Sequence, residues 1–263
     1  MRLAFRFSYL GDRFFGSQMQ PGLRTVEGAF IEACRRLSLF VDWRAAGFQT
    51  AGRTDRGVHA AGQVCAFDTD EPERAVRALN LLLPRDIWCT GWAAVPDRFH
   101  PRYDAKSRTY RYYFADPPPR VAAMDDAARA FCGTHDFASF ARADGRSTVR
   151  TVISARVYKD GDFVVFEATA ESFLWNMVRC MATALDMVGR GKTDVGYLLE
   201  TLEGPGDRRF HPALPEGLIL WYVEYGLRFE PLLVDERSRT YLSALRRRHA
   251  LMEKVTELLD RTG

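Results

Sequence analysis

The sequence has no CxxC pair and no cluster of cysteine with histidine. Its five cysteines, Cys34, Cys65, Cys89, Cys132 and Cys180, are far apart and odd in number. That pattern argues against a disulfide framework and a structural zinc, and for reduced thiols in a cytoplasmic protein. No apolar run approaches the ~18 residues of a membrane helix, so no membrane role is expected. The first residues, MRLAFRFSYLGDRFF, carry charges where a signal peptide is apolar, and they read as a strand.

Several reaction classes lack their motifs. A zinc deaminase needs H-x-E and P-C-x-x-C, and neither occurs. The G-x-S-x-G of a serine hydrolase is absent. His59, His100, His135, His211 and His249 show no metal-ligand spacing, so no metal is expected. GRGKTD at 189–194 resembles a phosphate loop, but Asp186 stands where the first glycine belongs and the segment follows a helix, not a strand. Its glycines read as helix caps. The aromatic signature of an RNP-type RNA-binding module is also missing. Lysine is scarce too, at four of the 37 basic residues. Arginine suits phosphate forks and stacking on bases, so the net charge of +3 points weakly to an anionic partner.

What is present is a soluble globular composition, 47% hydrophobic and 27% charged over 263 residues. Residues 2–9 alternate as a strand, and VEGAFIEACRRL after Thr25 has helical spacing with a threonine N-cap. Strands are expected at 44–50, 62–68 and 86–95, with a helix opening at Pro72. The order β-α-β-β-α-β is the ferredoxin-like split βαβ pattern. A second unit repeats it. Strands are expected at 107–115, 150–159 and 162–171, the last two joined at Asp160-Gly161. Helices follow at 124–132, 173–189 and 193–202, then a strand at 218–226. The fold class is therefore α+β, with a half over 1–104, a half over 105–230, and an amphipathic helix in 231–263. The two sheets are expected to join around a central cleft.

Chemistry concentrates in AGRTDRGVHAAGQV, 51–64. Gly52 and Gly57 admit backbone conformations that other residues resist. Asp55 lies between Arg53 and Arg56, and an ionised, oriented carboxylate can serve as nucleophile or base. The loop alone fits a structural Arg–Asp clamp equally well. In SRTYRYYF, 107–114, Tyr110 and Tyr112 share one strand face, with Arg111 and Tyr113 on the other. Arg179 interrupts the most apolar helix and needs a partner. Asp186, two turns on, is badly placed. Asp55 would join the two halves.

These residues carry a resemblance. GRTDRGVHA resembles the G-R-T-D-x-G-V-H-A signature of the tRNA pseudouridine synthase A family. PGLR-TVEGAF, ALNLLLPRDI, FHPRYDAKSRTYRYYF, HDFASF, FLWNMVRCMATALDMVGRG and EGLILWYVEY resemble further family segments, in order, over about residues 1–226. The resemblance implies the pseudouridine synthase fold and isomerisation of uridine in the anticodon stem-loop of tRNA, without a cofactor, by a cytoplasmic homodimer. It implies Asp55 as the nucleophile, either toward C1′ or through the C2′ proton. Arg53 would help extrude the base, Tyr110 would stack on the uracil and act in removing the C5 proton, Arg179 would pair with Asp55, and Leu220 would pack on the base. Arg56, where the family often has alanine, would add a substrate contact. Trp175-Asn176 replaces a histidine pair of many bacterial members, a difference that bears on RNA grip and not on chemistry. A non-catalytic RNA-binding protein of ferredoxin-like fold and a carboxylate-based nucleosidase are the rival readings.

Overall fold

The first strand, β1 (Arg2–Tyr9), buries Leu3, Phe5, Phe7 and Tyr9 on one face. Phe5 stacks on Phe67 at 5.6 Å between ring centroids, and Phe7 meets Phe30 at 4.9 Å. Phe30 comes from α1 (Val26–Arg36), whose first turn is capped by Thr25: its hydroxyl accepts from the Gly28 N–H at 3.2 Å. This computed structural model describes residues 1–142, 145, 147–204 and 209–261. The first half continues through β2 (Gln49–Thr50), β3 (His59–Asp68), α2 (Pro72–Leu82) and β4 (Ile87–Ala94). The second half holds β5 (Ser107–Phe114), α3 (Val121–Arg129), β6 (Gly133–Asp136), β7 (Val149–Asp160), β8 (Phe163–Ala170), α4 (Met177–Gly189), α5 (Val195–Glu203) and β9 (Leu218–Glu224). The chain ends in β10 (Glu230–Pro231) and α6 (Glu236–Asp260).

All the strands join one sheet, in the order β10-β4-β1-β3-β9-β5-β8-β7-β6, with β2 beside β3. Within each half the path is fourth-first-third-second: β4-β1-β3-β2, then β9-β5-β8-β7. The expected pair of split βαβ units is therefore present, and the two sheets are continuous. The pairs are antiparallel except at the seam, where β3 and β9 run parallel for two residue pairs, His59↔Ile219 and Ala60↔Leu220. A Cβ on Gly62 would stand 2.6 Å from the Trp221 carbonyl oxygen. A glycine at that point is what lets the two halves close.

Three expectations need correction. The strand expected at 44–50 shrinks to Gln49–Thr50, because the chain turns through 43–47 and Gly47 takes φ +58°. The helix expected at 124–132 lies at Val121–Arg129, directly after the proline run. The residues behind it form β6, which pairs with β7 and was not foreseen. The helix expected from residue 173 begins at Met177, because Asn176 is left-handed at φ +66°. Asparagine tolerates that region better than most residues. The glycine cap is as expected: Gly191, at φ +70°, closes α4 with N–H bonds from Gly191 to Val188 O and from Lys192 to Met187 O.

The chain after β9 returns to the first half. β10 pairs with β4, and Arg237 donates to the carbonyls of Asn80 at 3.0 Å and Leu83 at 3.3 Å. Arg85 covers the Tyr241 ring at 4.4 Å. From Arg246 onward α6 is exposed along every described residue. Gly62→Ala should push β9 from β3 and lower stability by about 1–3 kcal/mol, the usual cost of overpacking. Urea denaturation monitored by circular dichroism reads this, and an unchanged midpoint would mean the seam is looser than it looks.

Candidate active site

A row of side chains crosses the seam on one face of the sheet. Tyr9 pairs with Ala60, Ala60 with Leu220, Leu220 with Tyr110, and Tyr110 with Ala168. Directly opposed residues share a face. Leu220 is fully buried, and Tyr110 is 9% exposed with its ring edge-on to Phe173 at 5.2 Å. Burial pushes the Tyr110 phenol up to about 12, the nearby Arg108 cation opposing this in part.

Loop 51–58 lies over this row. The Ala51 N–H donates to Val64 O at 2.8 Å, and Gln63 Nε2 donates to Gly52 O at 2.8 Å. Thr54 is bound on three sides. Its hydroxyl meets the Tyr9 hydroxyl at 2.7 Å, its N–H donates to Ser17 Oγ at 2.8 Å, and its carbonyl accepts from the Ser17 N–H at 3.0 Å. Gly57 supplies the left-handed turn, with φ +86°. Gly52 does not, since its φ is outside that region, and a Cβ there would meet the Tyr110 hydroxyl at 4.0 Å, an ordinary contact. His59 Nδ1 accepts from the Gly11 N–H at 2.9 Å, which fixes its tautomer and the far end of the loop.

Asp55 is thereby carried to the seam, where the second half meets it. Arg179 Nη1 donates to Asp55 Oδ2 at 3.0 Å. The arginine is 14% exposed and the aspartate 33%. Arg179 sits in the first turn of α4, where it also donates from Nε to Ala213 O at 2.7 Å and from Nη1 to Asn176 Oδ1 at 3.2 Å. Asp186 does not compete for it, being paired with Arg190 at 2.9 Å. Tyr110, Leu220, Asp55 and Arg179 thus converge from β5, β9, the 51–58 loop and α4.

Arg53 and Arg56 are placed differently. Both are exposed. The Arg56 guanidinium lies over the Phe15 ring at 4.6 Å. Among the described residues no ion pair joins either arginine to Asp55, so the loop is not an Arg–Asp clamp of its own. Asp55 has its cation from the other half.

Two residues at the site were not singled out as site residues from the sequence. Trp175 donates its indole N–H to Asp55 Oδ1 at 3.0 Å. It occupies the short segment before Asn176 that the sequence reads as helix. Its departure from the bacterial histidine therefore touches the carboxylate itself, not RNA grip alone. Arg108, 9% exposed, donates to Ala51 O at 3.1 Å, to Glu171 O at 2.6 Å and to Arg102 O. Its signal was available: two residues from Tyr110 on β5, it points to the same face. No group of three or more His, Cys, Asp or Glu among the described residues is placed to hold a metal ion. No helix among them is long and apolar enough to cross a membrane.

A carboxylate and a tyrosine set over a sheet joined from two split βαβ units define a class, and comparison with known proteins names it. Residues 127–226 match the family model described as tRNA pseudouridine synthase, a span that includes Trp175, Arg179 and Leu220. The chain is 62% identical to tRNA pseudouridine synthase A of Methanoculleus marisnigri over 97% of this chain and 94% of that protein. It is 54% identical to that of Methanosphaerula palustris, over 100% and 94%, and 42% identical to that of Thermococcus sibiricus, over 94% of each. The chain belongs to the tRNA pseudouridine synthase A family.

Acid should loosen the loop anchor. Burial lowers the pKa of His59 below its ordinary value, with Asp12 and Glu216 opposing this in part. The folded state therefore favours the neutral ring, and proton uptake opposes folding. The His59 contribution is complete above the unfolded value of about 6.5 and is lost as pH falls through the folded value. Thermal melts from about pH 7.5 to about pH 5.5 should drop more steeply for the native protein than for His59→Gln. Parallel curves would remove His59 from the pH response.

Proposed function

We propose that this chain isomerises uridine to pseudouridine in tRNA, with Asp55 as the group that reacts at the ribose. The relatives at up to 62% identity are named for that activity. The observation that supports the site is the Asp55 carboxylate, held by Arg179 from the opposite half and near enough to Tyr110 for its charge to act on the phenol.

The isomerisation breaks the N1–C1′ bond, turns the uracil, forms the C5–C1′ bond, and exchanges the C5 proton for one on N1. Atoms and electrons balance within the nucleotide, so the reaction calls for no oxidant and no group donor. A carboxylate reaches C1′, or the C2′ proton, only if the nucleotide leaves its stack. Tyr110 offers an aromatic wall for the extruded base, and Leu220, fully buried beside it, would pack on the base once the overlying loop gives way. Arg53, exposed beside Asp55, is suited to the flanking phosphate or to the vacated place in the stack. Arg56, stacked on Phe15, is suited to an outer RNA contact. Each carboxylate oxygen of Asp55 accepts one hydrogen bond and keeps a lone pair for reaction.

The anticodon stem-loop as target, a homodimer and a cytoplasmic setting complete the reading. The free state of all five cysteines supports the setting, and the exposed Leu251, Met252, Leu258 and Leu259 of α6 support a partner surface. The RNA-binding and nucleosidase alternatives lose ground: the family is one of isomerases, and no second carboxylate stands beside Asp55 among the described ion pairs and hydrogen bonds.

Asp55→Asn should abolish tritium release from C5-labelled uridine in tRNA while leaving tRNA binding largely intact. Full activity in that variant would sink the assignment, and free uracil from the native protein would favour a nucleosidase. Binding should also weaken steeply as salt rises, because phosphate contacts release counterions. Affinity that ignores salt in filter-binding titrations would count against a tRNA partner.

A further inference from the structure

Both oxygens of Asp55 are held, and by different kinds of donor. Arg179, a cation, binds Oδ2 at 3.0 Å, and Trp175, a neutral indole, binds Oδ1 at 3.0 Å. A carboxylate held at one oxygen can still rotate about its Cβ–Cγ bond. Held at both oxygens, by side chains from one segment, it has a single orientation.

The local chain is shaped for this. Asn176 adopts the left-handed conformation, φ +66°, and so separates Trp175 from α4. A helical start at 173 would carry the indole round with the helix. Asn176 also accepts from Arg179 at 3.2 Å, so the turn that releases the tryptophan steadies the arginine. Arg142 finishes the setting: its N–H donates to Trp175 O at 3.0 Å, and its guanidinium covers the indole at 4.4 Å. Trp175 is nevertheless 48% exposed, too open for its place to be explained by core packing. An exposed tryptophan that spends its single N–H on a reactive carboxylate is a functional placement.

We propose that Trp175 is a positioning residue for Asp55. Its N–H fixes the carboxylate so that one oxygen is charge-paired with Arg179 and the other, neutrally bonded, carries the more available lone pair toward the ribose. The proposal rests on the reading of Asp55 as the reacting group. It makes Trp175 a determinant of kcat and not of RNA affinity.

The test uses the full-length protein with two replacements at position 175. Trp175→Phe keeps an aromatic ring and removes the donor. A tryptophan analogue with sulfur in place of the indole N–H keeps the whole shape. Both should lower kcat for pseudouridine formation about tenfold, the scale of one lost hydrogen bond to a charged group, with KM and tRNA affinity unchanged. Native kcat in the sulfur analogue would overturn the proposal, because only the N–H has been removed. A rise in KM with kcat unchanged would also overturn it, and would make the indole an RNA contact. Asp55→Asn is measured in parallel. Activity retained there refutes the role of Asp55 itself, whereas its loss there with native kcat in the analogue refutes only the role of Trp175.

Discussion

The ion pair between Asp55 and Arg179 is the constraint on which the rest depends. It is the point where a loop of the first half is bonded to a helix of the second. A pair that is partly buried stays in place only if its remaining donors and acceptors are satisfied. Arg179 spends its Nε on Ala213 O and shares Nη1 with Asn176, and Asp55 gives its second oxygen to Trp175. Removing either charge would strand the other in a partly buried site. Fully buried pairs lose about 3–5 kcal/mol in that way, and the 33% exposure of Asp55 makes the loss smaller here. Stability and the proposed chemistry therefore draw on the same contact.

The pair can exist only because the backbones beneath it come very close. Gly62 lets β3 and β9 meet, and Gly11 lets the first turn pass the loop, since a Cβ there would fall 2.0 Å from Val58 O. Arg108 adds a polar brace under the loop. It reaches from β5 to Ala51, Arg102 and Glu171, three carbonyls from three segments. A buried arginine with its donors so used is satisfied and leaves little freedom to the backbone it holds. The position of Asp55 over Tyr110 is thus set from below by Arg108 and Gln63, and from the side by Arg179.

Much of this was legible in the sequence, for physical reasons that differ from element to element. β1, α1, α2, β5 and β8 follow from period and capping, which local chemistry determines. Arg179 was legible because a charge inside an apolar helix demands a partner. The partner came from 124 residues away, and only the family resemblance singled out Asp55 with assurance. β6 and β10 were not legible. They are short, and their pairing with β7 and β4 is decided by tertiary neighbours, not by alternation. The break at Asn176 was hidden as well, because FLWNMV has apolar residues at helical spacing on either side of it. That one left-handed residue conceals Trp175 from any reading based on period.

The raised pKa of Tyr110 limits what its hydroxyl can do at neutral pH. With the phenol pushed up to about 12 by burial, the ring is neutral at pH 7 when substrate arrives. A resting phenolate base at C5 is therefore not available. The proposed chemistry does not need one. Once C5 has bonded to C1′, it is tetrahedral and lies next to the C4 carbonyl, and loss of its proton restores the aromatic ring. A proton made that labile requires only a weak acceptor held in place. The demand on Tyr110 is then for an ordered ring and a hydroxyl within reach of the base, which burial against Phe173 and Leu220 supplies. Burial costs the phenol its acidity and gives the ring its fixed position. The carboxylate proposed to react is a separate group, Asp55, held by Arg179 and Trp175.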